Sequence, residues 1–339
     1  MTAIERLTFA GAINAGLRRT LETDPKVLLM GEDIGTLGGV FRVTAGLQKD
    51  FGADRVVDTP LAESGIVGTA IGLALRGYRP VLEIQFDGFI FPAFNQITTQ
   101  LAKMSYRSSG RLTLPVVIRV PYGGGIGAVE HHSESPEALF AHTAGLRVIA
   151  PASPADAFVM IQQAVASPDP VMFFEPKARY WDKGEVDLAI TITADDDASA
   201  AGGVVPLGTA RVARAGTDLT IAAYGATVGT ALRAAEAAMT DGVSVEVVDL
   251  RSISPLDAET LVTSVRRTGR CVVVHEAPVF YGTGGEIAAR VTEACFYELE
   301  APVLRVGGFH TPYPVNKLES AYLPGLDRLL DAIDRAMSY

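Results

Sequence analysis

Short β-branched apolar runs alternate with helical stretches of about 10–15 residues along nearly the whole chain, and that rhythm admits few folds. Val27–Met30, Arg55–Asp58, Arg79–Ile84, Pro115–Val120, Leu146–Ala150 and Val171–Phe174 read as strands. Ile4 to Leu21, Glu63 to Arg76, Phe91 to Met104 and Pro154 to Ala166 read as helices. Strands spaced in this way form βαβ units with right-handed crossovers and a parallel sheet. The rhythm stops between Lys177 and Gly203, where Asp195-Asp196-Asp197 is followed by a run of small residues. This stretch reads as a linker over the surface, and its acidic run as a solvated loop. A second α/β pattern follows. Its strands are Leu219–Tyr224, Val243–Leu250, Cys271–His275 and Pro302–Val306. Its helices are Thr227–Thr240, Leu256–Arg267, a stretch after Tyr281–Gly285 that runs to Leu299, and Leu326–Met337. The expected architecture is α/β: two doubly wound domains with mainly parallel sheets, at 1–180 and 204–339, joined by a linker at 181–203. No short-period repeat is present, so solenoids and propellers are excluded.

Hydrophobic residues make up 48% of the 339 residues and charged residues 20%, which suits a large buried core and excludes disorder. A net charge of −10 argues against nucleic acid or an anionic membrane as partner. Cys271 and Cys295 lack metal-type spacing and suggest ordinary thiols in a reducing compartment. No apolar run approaches the ~20 residues of a membrane helix. Met1-Thr-Ala-Ile-Glu-Arg6 has no signal-peptide character. The expected location is the bacterial cytoplasm, or the mitochondrial matrix only if a presequence has been removed.

Local motifs are mostly negative: no Walker-type phosphate loop, no His-Glu-x-x-His, no Cys-x-x-Cys and no Gly-x-Ser-x-Gly. Gly123–Gly127 reads either as a tight turn after a strand or as a loose phosphate cradle. Three places remain. In Asp58-Thr-Pro-Leu-Ala-Glu63, a strand end is followed by a carboxylate at the start of a small-residue helix. Glu63 there is either a dipole-favoured terminal carboxylate or a ligand group at the carboxyl end of a parallel sheet. His131-His132-Ser133-Glu134 follows the glycine run and is either an exposed loop or a catalytic one. Glu83-Ile-Gln-Phe-Asp-Gly-Phe89 ends a strand in polar groups and aromatics. Of the other histidines, His142 reads as core or interface on an apolar helix face, His275 ends a strand beside Glu276, and His310 precedes Thr-Pro-Tyr-Pro314.

Ten stretches, in order, carry a more specific signal. They are Leu29-Met-Gly-Glu-Asp33, Gly38-Gly-Val-Phe-Arg42, Val57-Asp-Thr-Pro-Leu-Ala-Glu63, Glu83-Ile-Gln-Phe86 and Phe91-Pro-Ala-Phe94. The series continues with His132-Ser-Glu-Ser-Pro-Glu137, Phe173-Phe-Glu-Pro-Lys177, Val248-Asp-Leu-Arg251, His275-Glu-Ala-Pro278 and Thr311-Pro-Tyr-Pro314. Together they resemble the β subunits of thiamine-diphosphate-dependent 2-oxo acid dehydrogenases, most like the branched-chain members, with pyruvate dehydrogenase β next.

The resemblance implies a transketolase-like fold with a pyrimidine-binding domain first. It implies that Glu63 hydrogen-bonds N1′ of the cofactor aminopyrimidine through a short charge-assisted bond. That bond favours the imino tautomer, whose imine takes the proton from thiazolium C2, and the thiazolium then acts as electron sink for decarboxylation. Leu61, Gln85 and Phe89 would line the pyrimidine slot; some relatives carry tyrosine where this chain has Phe89. His132 would act near the substrate carboxylate and in acyl transfer to a lipoyl group. A structural potassium ion would sit on backbone at Val116, Ala164, Val165, Ser167 and Asp169. The Gly-Asp-Gly segment that usually holds Mg²⁺ and diphosphate is absent. The resemblance therefore implies half an active site, with an α subunit binding Mg²⁺ in an α2β2 heterotetramer and a lipoyl acyltransferase core docked on the C-terminal part. The substrate would be a small branched-chain 2-oxo acid, with pyruvate as the alternative. A non-catalytic docking subunit is the reading from another class, and it predicts a dispensable Glu63.

Overall fold

The computed structural model describes residues 3–194 and 204–339; the acidic run at 195–197 lies outside the described residues. The first half runs β1 (Ile4–Thr8), α1 (Phe9–Thr23), β2 (Val27–Gly31), α2 (Leu47–Phe51), β3 (Val56–Asp58), α3 (Glu63–Leu75) and β4 (Arg79–Glu83). It continues through α4 (Ala102–Arg107), β5 (Val117–Tyr122), α5 (Glu137–Ala141), β6 (Arg147–Ile149), α6 (Pro154–Ala166), β7 (Val171–Pro176) and β8 (Lys183–Asp187). The second half holds β9 (Arg211–Arg214), β10 (Leu219–Ala223), α7 (Ala226–Thr240), β11 (Val245–Asp249), β12 (Ser252–Ser254), α8 (Ala258–Thr268) and β13 (Cys271–Pro278). It ends with α9 (Thr283–Ala294), β14 (Leu304–Gly308), α10 (Asn316–Tyr322) and α11 (Leu326–Met337).

Two sheets organise these elements. The larger has the order β12-β6-β7-β5-β4-β2-β3, parallel except at β12. The smaller has the order β14-β13-β10-β11-β9, with only β9 antiparallel. The central strands β2, β5 and β7 are buried along their whole length; β2 is apolar throughout, while β5 carries Arg119 and β7 carries Glu175 among apolar residues. In the first half, α1 and α6 pack on one sheet face through Phe9, Ile13, Leu17, Phe158 and Ile161, while α3 lies on the other with Ile66, Val67 and Ala70. On the small sheet, α7 and α11 cover one face through Val228, Ala231, Leu329 and Ile333, and α8 and α9 the other through Leu261, Val265, Ile287 and Val291. The α/β architecture with mainly parallel sheets is as expected.

Several local expectations are corrected. Ile4–Thr8 is a strand, because Thr8 is the N-cap of α1 and its Oγ1 accepts the Gly11 amide at 3.0 Å. Its partner is β8, inside the stretch read as linker; only Val186 of β8 is buried, so no apolar pattern announced it. Phe91–Met104 is not one helix. Pro92 sits in a 3-10 turn over Asp87–Ala93, a π-helical segment spans Gln96–Leu101, and α4 begins only at Ala102. His142 follows α5 and is exposed rather than packed on an apolar face. Strand β12 comes from the second half of the sequence yet pairs with β6 of the first sheet.

Candidate active site

A parallel sheet turns all its strand ends the same way, so the loops at one edge gather side chains from distant sequence. At this edge β2 leads into Glu32 and Asp33, β3 into α3 with Glu63, and β4 into Gln85–Phe89. β5 leads into the glycine run and His132, and β7 into Lys177.

Glu63 opens α3 and is 8% exposed, which is unusual for a helix-terminal carboxylate. Beside it lies Glu32, 7% exposed, whose Oε1 has no hydrogen-bond partner. Burial first, and then the Glu63 and Asp33 charges, push the Glu32 carboxyl above its ordinary value. Gln85 spans this corner, its Nε2 donating to Asp33 Oδ2 at 3.3 Å and to the Glu32 carbonyl at 3.5 Å. Leu61 stands 81% exposed at the rim.

His132 stands against two aromatic rings. The His132 ring meets Phe86 edge-on at 4.3 Å and Phe89 at 5.2 Å. Phe89 therefore supports the imidazole. Burial, with His131 second, pushes the His132 imidazole below its ordinary value, and its Nδ1 is buried without a partner. Under the ring lies a pair that the sequence reading did not single out as site residues. Lys177 Nζ donates to Asp87 Oδ1 at 2.5 Å, and both side chains are fully buried. Asp87 Oδ2 in turn accepts the Glu134 amide at 2.8 Å. Deeper still, Arg119 bridges Glu83 at 2.7 Å and Glu175 at 2.7 Å, and the Tyr180 hydroxyl donates to Glu175 Oε2 at 2.6 Å. The signal for Lys177 was a lysine ending an otherwise apolar buried strand; Asp87 carried none beyond its place among the aromatics.

The five backbone positions expected for potassium lie elsewhere, around the end of α6. The Val165 carbonyl accepts Arg79 Nη1 at 2.9 Å, with the Ala166 and Ser167 carbonyls at 3.4 and 3.5 Å from the same nitrogen. The Ala164 carbonyl accepts the Ser167 amide at 3.3 Å, the Val116 carbonyl the Val171 amide at 2.9 Å, and the Asp169 carbonyl the Ser167 hydroxyl at 3.1 Å. A cation there would share the Val165 and Ser167 carbonyls with the Arg79 guanidinium. Among the described residues, no group of three or more His, Cys, Asp or Glu side chains is placed to hold a metal.

A carboxylate corner and an aromatic-backed histidine, set at one edge of a parallel sheet with a second α/β domain packed beside it, define a chain of the transketolase class. The family profile "Transketolase, pyrimidine binding domain" matches residues 5–182, and "Transketolase, C-terminal domain" matches 208–329. A solved structure described as a split-gene transketolase, an inactive beta4 tetramer, shares the fold, with a TM-score of 0.75 at 23% identity over 98% of both chains. Curated relatives narrow the class. A pyruvate dehydrogenase E1 component subunit beta from Leifsonia xyli subsp. xyli is 61% identical over 336 residues, 99% of this chain and 96% of that protein. A 3-methyl-2-oxobutanoate dehydrogenase subunit beta from Mycobacterium tuberculosis is 52% identical, covering 98% of this chain and 92% of that one. A Bacillus subtilis pyruvate dehydrogenase E1 subunit beta is 44% identical, covering 98% and 99%. The chain belongs to the family of 2-oxo acid dehydrogenase E1 β subunits.

Proposed function

We propose that this chain contributes the pyrimidine half of a thiamine diphosphate site, shared with an α subunit, in the oxidative decarboxylation of a small 2-oxo acid. The observation that carries this reading is Glu63, a carboxylate 8% exposed, set beside the unpartnered Oε1 of Glu32. Buried orphan acceptors are costly unless a ligand donor reaches them. Gln85 and Phe89 are half-exposed and Leu61 is exposed, so each has free surface to offer a ligand at that corner. These residues fit an aminopyrimidine.

When bound, thiamine diphosphate would supply a nucleophilic carbon and an electron sink for the decarboxylation. Glu63 would hold the aminopyrimidine through a hydrogen bond to a ring nitrogen. Glu32, whose carboxyl is pushed above its ordinary value by burial and then by the Glu63 charge, lies beside it. Gln85 fixes the orientation of this corner, and Phe86 and Phe89 support the His132 ring. His132, its imidazole pushed down by burial, offers a nitrogen toward the substrate carboxylate and the lipoyl disulfide that accepts the acyl group.

Mg²⁺ and the diphosphate fall to the α subunit in this reading. The assembly is an α2β2 heterotetramer, and the C-terminal domain is the surface for the lipoyl acyltransferase core. No described helix is long and apolar enough to cross a membrane, and the relatives named above are bacterial. A cytoplasmic location goes with the reading. Potassium belongs to it at the carbonyls of Val116, Ala164, Val165, Ser167 and Asp169, in competition with Arg79. The sequence stretches favour a branched-chain substrate, while the 61% identical relative named for pyruvate favours the second reading.

The test is decarboxylation by this chain, alone and with its α subunit, on pyruvate and on 3-methyl-2-oxobutanoate. Activity only in the mixture supports the shared site, and the faster substrate decides between the readings. Glu63→Gln in the mixture lowers the rate about 10²- to 10⁴-fold. A Glu63→Gln complex as fast as the parent returns the chain to a docking role.

A further inference from the structure

The glycine run is neither a phosphate cradle nor a plain turn. Gly123, Gly125 and Gly127 have φ of +79°, +90° and +71°, and this alternation points successive amides into one concavity. Such a nest binds anions. Here the anions are the chain's own carboxylates, reaching across from the second domain. Glu276, at the end of β13, accepts the Gly124 amide on Oε2 at 3.1 Å. Glu319, in α10, accepts the Gly125 amide at 3.0 Å on Oε1 and the Gly127 amide at 3.2 Å on Oε2. The Tyr313 hydroxyl donates to Glu319 Oε1 at 2.8 Å and fixes that carboxylate from behind. A Cβ on Gly124 would strike the Tyr313 hydroxyl, and one on Gly127 would press on Asn316 at 2.8 Å, so the two domains meet backbone to side chain here.

The nest is one end of a closed loop. The Gly123 amide donates to the Glu134 carbonyl at 2.9 Å, and the Glu134 amide donates to Asp87 at 2.8 Å. His132 lies inside this closure, on a 3-10 turn of three residues too short to hold its own shape. The loop is thus pinned from the first domain by Asp87 and from the second by Glu276 and Glu319.

We propose that Glu319, oriented by Tyr313 and seconded by Glu276, is a positioning residue for His132: it holds the histidine loop by filling the glycine nest from the second domain. The proposal rests on the catalytic reading of His132. It gives the C-terminal domain a part in the chemistry of the first domain's site.

The test uses the assembled α/β complex with thiamine diphosphate, Mg²⁺, a 2-oxo acid and a free lipoyl domain. Glu319→Gln keeps the size and removes the charge, and lowers reductive acylation about 10- to 100-fold. Tyr313→Phe, which deletes a single hydroxyl, lowers it by roughly threefold to tenfold. Glu319→Gln added to His132→Gln costs no more than about twofold beyond His132→Gln alone, because both act through one imidazole. Hydrogen exchange at the amides of residues 124–127 rises in Glu319→Gln in the cofactor-free complex. If His132→Gln is slow while Glu319→Gln matches the parent, or if the two losses multiply, the positioning role is overturned. If His132→Gln itself matches the parent, the catalytic reading of His132 fails and the proposal falls with it.

Discussion

Lys177→Met tests the buried pair beneath His132. At 2.5 Å and an effective dielectric of about 20, the Lys177–Asp87 attraction is about 6–7 kcal/mol. The variant forfeits less than that, because Asp87 can take up a proton once its cation is gone. Removing one partner of a buried pair typically costs ~3–5 kcal/mol. At roughly 2–4 °C per kcal/mol for a domain of this size, the melting midpoint falls by about 6–20 °C. The sign of the pH dependence follows from Asp87. Burial already pushes its carboxyl up against the pull of Lys177. An acid with a raised folded-state value gives stability that is present below its unfolded value and lost as pH rises toward the folded one. Losing Lys177 raises the folded value further, so the deficit of the variant grows as pH rises, compared here at pH 6 and pH 8. Lys177→Met/Asp87→Asn removes both charges, keeps an acceptor for the Glu134 amide, and recovers most of the loss. Thermal melts of parent, single and double variants at both pH values check this. A single variant as stable as the parent at pH 8, or a double variant no better than the single, refutes the reasoning.

Three further outcomes are expected. In Gly88→Ala the new Cβ meets the His131 backbone, so the histidine loop shifts and turnover of the assembled complex falls at least about tenfold with little change in melting point. Burial pushes Glu137 up to about 8, with the Tyr224 hydroxyl donating to it at 2.6 Å. Its contribution to stability is therefore lost at roughly 1.4 kcal/mol per pH unit between the ordinary carboxylate value and about 8, and Glu137→Gln flattens that slope in urea titrations across the range. Arg79→Met withdraws the guanidinium from the Val165 carbonyl and lowers the melting point; potassium chloride, compared with choline chloride, restores part of that loss and stabilises the parent less.

The period of the apolar pattern made most of the fold legible. β2, β5 and β7 are mainly apolar because both faces of their sheet are covered, and α6 announces itself with Ser153 capping and Pro154 at its first turn. Elements whose partners lie far away in sequence were not legible. β8 has one buried side chain, and its strand state comes from pairing with β1, about 180 residues earlier. β12 is three residues long, too short for any periodicity. The site divides in the same way. Glu63, His132, Gln85 and Phe89 lie in ordered local motifs. Asp87 matters because Lys177 arrives beneath it from the end of β7, and Glu319 because its helix packs on a glycine loop almost 200 residues upstream. No local window of sequence contains either pairing.

The placement of β12 makes the boundary in the sequence different from the boundary in the fold. A break anywhere between β8 and β9 would leave two fragments still laced together, one lending a strand to the other's sheet. Arg251, next to β12, also donates to Asp156 of α6 at 3.1 Å. Expressed separately, the first fragment would show β6 as a bare edge and would tend to cluster through it. Expressed together, the two pieces should find each other and rebuild the native sheet. Evolution or a protein engineer could thus divide this gene in the middle without dividing the molecule.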